Sequence, residues 1–276
     1  EIVAGMRTGF PRRVCFLIGV TLGAGLLVKS ITATIAPIIA LAMLWTLGIR
    51  EWRRLIMSGV LVAAPAAIMA APWYVYLYRT YGDLSGLNRV AELQYWNAPM
   101  GSFWELLTDP QFLIGRFRES WGEYGWRIIH FRDGLLWAIA IPMIAGTVGL
   151  GMYALARWRD IPLWSNRPFE HAEEWQGRAL WILALACLVA YLAVIQFGTQ
   201  FALAQARYFF PVVNAAAILV MLGLRTLLPW RWRTAGQGVV LAALIALNVY
   251  ISMAYVLPFT TTFDQPTLPW VWRDRS

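Results

Sequence analysis

The stretch from Ala179 to Phe197, ALWILALACLVAYLAVIQF, runs for 19 residues without a charge. A helix needs about 20 residues to cross about 30 Å of hydrocarbon. A water-facing helix of that length would carry a polar face, and this one has none. The stretch therefore reads as a membrane span. Similar apolar runs lie on both sides of it, at residues 14–28, 31–47, 55–76, 135–156, 208–228 and 238–257. Pro65 and Pro72 fall inside the third run, where neighbouring helices can satisfy the freed backbone groups. The expected fold is all-α: a polytopic transmembrane helix bundle of about seven spans in a single transmembrane domain. Residues 14–76 hold the first three spans and 134–257 the last four. The first two spans read as a tight hairpin of short helices around Lys29-Ser30.

Composition agrees. Of 276 residues 59% are apolar and 14% charged, and mean hydropathy is +0.56. A soluble domain is nearer half apolar and a quarter charged. Disorder, a coiled coil and a nucleic-acid-binding tail are excluded, and a soluble enzyme is argued against. The net charge is +8, and Lys29 is the one lysine among 23 basic residues. Cys15 and Cys187 sit inside apolar runs and suggest neither a disulfide nor a metal site. The chain opens on Glu1 with no initiator Met and no signal-cleavage pattern, which predicts natural sequence upstream.

The arginines orient the bundle. Arg7, Arg12 and Arg13 precede span one. Arg50, Arg53 and Arg54 follow span two. Arg157, Arg159, Arg167 and Arg178 follow span four, and Arg225, Arg231 and Arg233 follow span six. If seven spans alternate, all four groups share one side, and short Lys/Arg-rich segments stay cytoplasmic. The expectation is a multi-pass protein of the plasma (inner) membrane with its N-terminus inside and its C-terminus outside. The outer side then holds Lys29-Ser30, residues 77–133, the turn at 198–207 and the tail 258–276. The 77–133 connection carries mixed charge and Trp96, Trp104, Trp121 and Trp126. It reads as short amphipathic helices at the interface.

Four outer features carry chemistry, each with a plainer alternative. Lys29 either snorkels to the headgroups or offers a point charge to phosphate, with Ser30 beside it at a helix start. Arg207-Tyr208 opens span six, where an Arg opposes the helix dipole. Either a loop carboxylate compensates it, or an anionic ligand that suits the guanidinium fork does so. Glu119 and Glu123 would share a helical face and divide acid and base work, or else pair with Arg116, Arg118 and Arg127. Ala71-Pro72-Trp73-Tyr74 reads as an aromatic belt after a proline. His130 and His171 fall on opposite sides. No GxGxxG, Walker, GxSxG or HExxH pattern occurs, so no cofactor is expected; a need for a divalent metal stays open.

In this order, these residues resemble the membrane glycosyltransferases of the GT-C fold, which include the protein O-mannosyltransferases and the aminoarabinose transferases. Gly23-Ala24-Gly25-Leu26-Leu27-Val28-Lys29-Ser30 resembles their G-x-x-x-L-T-K-G hairpin. Pro72-Trp73-Tyr74 resembles their P-W-Y, and Arg207-Tyr208-Phe209-Phe210-Pro211 their R-Y-x-x-P. Trp121-Gly122-Glu123-Tyr124-Gly125-Trp126 is similar to a W-G-x-F-G-W of related bacterial membrane proteins. The resemblance covers about residues 14–230 and implies sugar transfer from a polyprenyl-phosphate carrier to an extracytoplasmic acceptor, with inversion. It implies that Lys29, Ser30, Arg207 and Tyr208 face the carrier phosphate. Its partners are a lipid-linked sugar and membrane lipids, with no nucleic acid. Ser30 stands for the family's Gly and Val28 for its Thr. The family's catalytic acid lies in a loop after its first helix, a loop that would fall upstream of Glu1. No residue here inherits that role, which makes the chain resemble the later portion of such an enzyme. The alternative is a non-catalytic subunit of that fold, packed within a larger membrane complex. No span carries a mid-membrane carboxylate, which argues against a transporter.

Overall fold

The computed structural model describes residues 1–86, 88–89, 92, 99–121, 123–124, 129–157, 174–201 and 206–258. The chain is helical. A short helix α1 (Ile2–Thr8) leads into α2 (Arg12–Val28), a 3-10 segment (Ser30–Ile35) and α3 (Ala36–Leu47). Helix α4 (Trp52–Tyr81) follows, then the short helices α5 (Phe103–Thr108) and α6 (Pro110–Trp121). A two-residue antiparallel pairing joins Glu123–Tyr124 to Ile129–His130. Helices α7 (Asp133–Arg157) and α8 (Glu174–Gly198) come next, then a 3-10 segment (Ala206–Val212) and α9 (Val213–Leu227). The last is α10 (Arg233–Ile251), which ends in a π turn (Ser252–Val256).

Among the described residues six helical stretches are long and apolar enough to cross a membrane, one fewer than the sequence suggests. The remaining one, α2, starts after Pro11 and stops at Lys29. Its 17 residues rise about 26 Å. Two expected starts differ as well. The second and sixth spans open in 3-10 geometry over Ser30–Ile35 and Ala206–Val212, not as α-helix. Pro211 lies inside the latter segment and has no N–H to give. Helix α4 runs five residues past the expected end at Tyr76, to Gly82 in the left-handed region.

Glycine sets the packing. Along α2, a Cβ on Gly19 would fall on the Val62 carbonyl oxygen of α4, and one on Gly23 would lie 3.0 Å from Ala66 Cα. Across α7 and α9, a Cβ on Gly146 would lie 2.7 Å from the Val220 oxygen, and Gly149 and Gly223 face each other's helices at backbone contact. Lipid supplies no hydrophobic drive between helices, so small residues that admit close backbones hold such pairs together. Between the pairs lies the core, with Ile38, Ala42 and Met43 of α3 against Ile182 and Ala186 of α8. Helix α1 adds Met6 and the chain adds Phe10, whose ring fills the space left by Gly5. The sequence reading did not anticipate α1.

At one end of the bundle Arg54 donates to the Gly9 carbonyl at 2.8 Å. Arg178 at the start of α8 is 1% exposed and donates to the Trp45 carbonyl at 2.6 Å. The cation sits at the C-terminus of α3, where the helix dipole favours it. In the sequence Arg178 counts among the arginines that follow span four; its burial against α3 is a finding of the structure.

The opposite end carries α5 and α6. The Met100 N–H donates to the Gly198 carbonyl at 3.0 Å, and Leu106 and Phe112 pack on Val194 and Ile195 of α8. The expected short helices are therefore present, with Trp104 72% exposed. Trp96 and Trp126 lie outside the described residues. Ser102 and Glu105 form a reciprocal capping box on α5, a pattern that satisfies two orphan N–H groups.

Two outcomes are expected. Gly223→Val drives a side chain into the Gly146 backbone and should lower stability by about 1–3 kcal/mol or more. Gly151→Val, at a position with nothing within 4 Å, should leave it unchanged. Thermal unfolding of the purified protein in detergent compares the two. Separately, hydrogen bonds from Ser102 backbone and side chain hold the Glu105 carboxyl below its ordinary value. A lowered folded value means the cap is fully formed above the ordinary carboxylate range and is lost as pH falls through the lowered value. A carboxyl-carbon NMR titration should place the Glu105 midpoint below that of an exposed glutamate.

Candidate functional site

The site is built from the break between α2 and α3. Lys29 takes an extended conformation, φ −161° and ψ 128°, which ends α2. Its N–H still closes on the Gly25 carbonyl at 2.8 Å. Thr32 then folds back. Its N–H donates to the Lys29 carbonyl and its hydroxyl to the Gly25 carbonyl, both at 3.1 Å. A Cβ on Gly25 would lie 2.6 Å from Thr32 Cγ2, so the turn needs glycine there. The last carbonyls of a helix have no intrahelical partner, and here the reversal supplies one.

A second tie comes from α4. The Tyr74 hydroxyl donates to the Leu26 carbonyl at 3.1 Å. Trp73 stacks on Tyr76 with ring centres 5.6 Å apart. The Pro72-Trp73-Tyr74 stretch, read from sequence as an aromatic belt, is thus also a brace. Its tyrosine fixes the last turn of α2, three residues before Lys29.

Lys29 and Ser30 open onto a cleft of about 260 Å³. Ile31 lines it from the same segment, and Ala193, Gln196, Phe197 and Gln200 line it from the end of α8. Lys29 is half-buried and Ser30 exposed. Among these residues Lys29 supplies the cation, Ser30 a hydroxyl, and Gln196 and Gln200 two amides that both donate and accept. A cation beside apolar walls acts on an anion more strongly than it would in water. Such a lining suits an anion with hydroxyl groups attached. Gln196 and Gln200 were missed in the sequence. The available signal was their four-residue spacing, which places both on one face at the end that carries the lone lysine.

Arg207 and Tyr208 have their backbone in the 3-10 segment Ala206–Val212, which packs against α8 and α6. Their side chains lie outside the described residues, as does the expectation that Arg207 and Lys29 share one cavity. Glu119 is described. It pairs with Arg116 at 2.9 Å, with both side chains at 10% exposure or less, and the Arg116 guanidinium lies 4.9 Å from the Phe112 ring centre. The ion pair that the sequence offers as one alternative is thus formed, and Glu119 does not line the cleft. The Glu123 side chain lies outside the described residues. Arg118 pairs with Asp133 at the start of α7. Among the described residues no three His, Cys, Asp or Glu side chains gather as metal ligands would. No family model, no curated protein and no solved structure matches the chain.

Proposed function

We propose that the chain is a membrane glycosyltransferase of the GT-C type that moves a sugar from a polyprenyl-phosphate carrier to an extracytoplasmic acceptor. The observation that carries the reading is the Lys29–Ser30 turn, held by Gly25, Thr32 and Tyr74 and opening onto a mainly apolar cleft to which Lys29, Ser30, Gln196 and Gln200 bring polar groups. In this reading α2 is a seventh, short span and the chain crosses the inner membrane with its N-terminus inside. The cleft, the interfacial helices α5 and α6 and the 206–212 segment then face outward, where a lipid-linked sugar is presented.

The chemistry follows from charge. An acceptor hydroxyl attacks the anomeric carbon, and the bond from that carbon to the phosphate oxygen breaks. Negative charge grows on the departing polyprenyl phosphate. Fixed cations aimed at that charge lower the barrier, a role for Lys29 with Ser30 and for Arg207 with Tyr208. Glu119 is engaged by Arg116 and takes no part, and the proton acceptor is not assigned.

A second reading has one observation in its favour. Helix α10 has no buried residue, which suits a non-catalytic subunit of the same fold that contacts a neighbouring membrane protein along that helix.

Binding and turnover separate the two. Polyprenyl phosphate titrated into the detergent-solubilised chain should bind, and Lys29→Met should weaken it tenfold or more, the scale of a charge-assisted hydrogen bond. Tyr74→Phe removes only the brace and should weaken it by roughly threefold to tenfold. Arg207→Ala should abolish transfer from a polyprenyl-phosphate sugar in the full-length protein. Unchanged binding in Lys29→Met, together with normal turnover in Arg207→Ala, would refute the phosphate site. Absent turnover with fixed co-purifying partners would favour the subunit reading.

A further inference from the structure

The end of the bundle opposite the cleft carries a second charged feature that sugar transfer does not use. Arg7, Arg12 and Arg13 flank the α1–α2 junction, and Arg50, Arg53 and Arg54 the start of α4. The fold brings the two triplets together, because Arg54 reaches the Gly9 carbonyl between Arg7 and Arg12. All six are exposed. Glu1 and Glu51 lie on the same segments, yet among the described residues none of the six arginines forms an ion pair. Three arginines between α4 and α7 behave differently. Arg89 pairs with Glu92, Arg116 with Glu119, and Arg118 with Asp133.

Six like charges gathered on one face, with Glu1 and Glu51 the acidic residues on the same segments, leave a net positive charge that repels itself. The helices add to the problem, since Arg12 and Arg13 open α2 and Arg53 and Arg54 fall in the first turn of α4, with no acidic residue in either first turn. Positive charge at a helix start opposes the dipole. An external anion relieves both strains. The surroundings say what kind. Trp52 is 55% exposed with the Arg53 guanidinium 5.3 Å from its ring centre. Ile49, Ile56 and Met57 beside it are each more than half exposed. A tryptophan between a basic rim and an apolar band marks headgroup depth. We propose that this six-arginine face binds the phosphodiester headgroups of anionic phospholipid, holding them as an annulus around the α1–α2 junction and the start of α4.

The proposal is independent of sugar transfer, and so is its test. Native mass spectrometry of the purified chain in detergent compares phosphatidylglycerol with phosphatidylcholine. Phosphatidylglycerol should bind at least tenfold more tightly, and the preference should fall as ionic strength rises. Arg12→Gln/Arg13→Gln/Arg53→Gln keeps Arg54 on Gly9 and should weaken phosphatidylglycerol about fivefold per arginine removed, leaving phosphatidylcholine unchanged. Arg89→Gln/Arg118→Gln, at the other end, should keep the full preference. Equal binding of the two lipids by the unmutated chain overturns the proposal without any variant. So does a triple variant that keeps the preference, or an opposite-end variant that loses it equally. Displacement of the lipid by equimolar glycerol 1-phosphate would mean that phosphate alone is recognised, and overturns it too.

Discussion

Backbone-to-backbone contact between helices is the constraint on which the rest depends. In hydrocarbon, apolar side chains gain nothing by leaving lipid for one another. Two helix pairs solve this by removing side chains at the crossing. Gly19 and Gly23 of α2 lie on the backbone of α4, and Gly146 and Gly149 of α7 meet Gly223 of α9. Helices α3 and α8 fill the space around the first pair with Ile, Met and Ala. The α2–α4 contact also sets the site. It brings Tyr74 within reach of Leu26, and so fixes where the α2 helix stops and Lys29 begins.

The spans were legible because uncharged runs of about 20 residues have few other uses. Their starts were less so. Ser30–Ile35 and Ala206–Val212 run directly into the α-helices they precede, and hydropathy does not distinguish 3-10 from α geometry there. The burial of Arg178 was not legible for a different reason. An arginine ahead of a span looks like a topology signal, and its partner, the Trp45 carbonyl, lies 133 residues away in sequence. Of the two alternatives for Glu119, the ion pair was legible from Arg116, three residues before it on the same helical face.

The site shows the same division. Lys29 stood out because it is a single lysine between two apolar runs. Gly25 was quoted as part of a motif, but its reason, contact with Thr32, is a three-dimensional one. Gln196 and Gln200 looked like the polar edge of a span. Only the packing of α8 beside the hairpin turns them toward the lysine. Polar residues at the ends of apolar helices are common, and the sequence does not say which of them meet.

The Arg178–Trp45 bond has a consequence for biogenesis. Helix α3 leaves the ribosome long before α8, and until then the guanidinium that caps its C-terminal carbonyl does not exist. That carbonyl lacks this donor while α4 to α7 are synthesised. Arrival of α8 then joins the older half to the newer with one buried cation. The order of synthesis is thereby written into the core as a latch that only the later half can close.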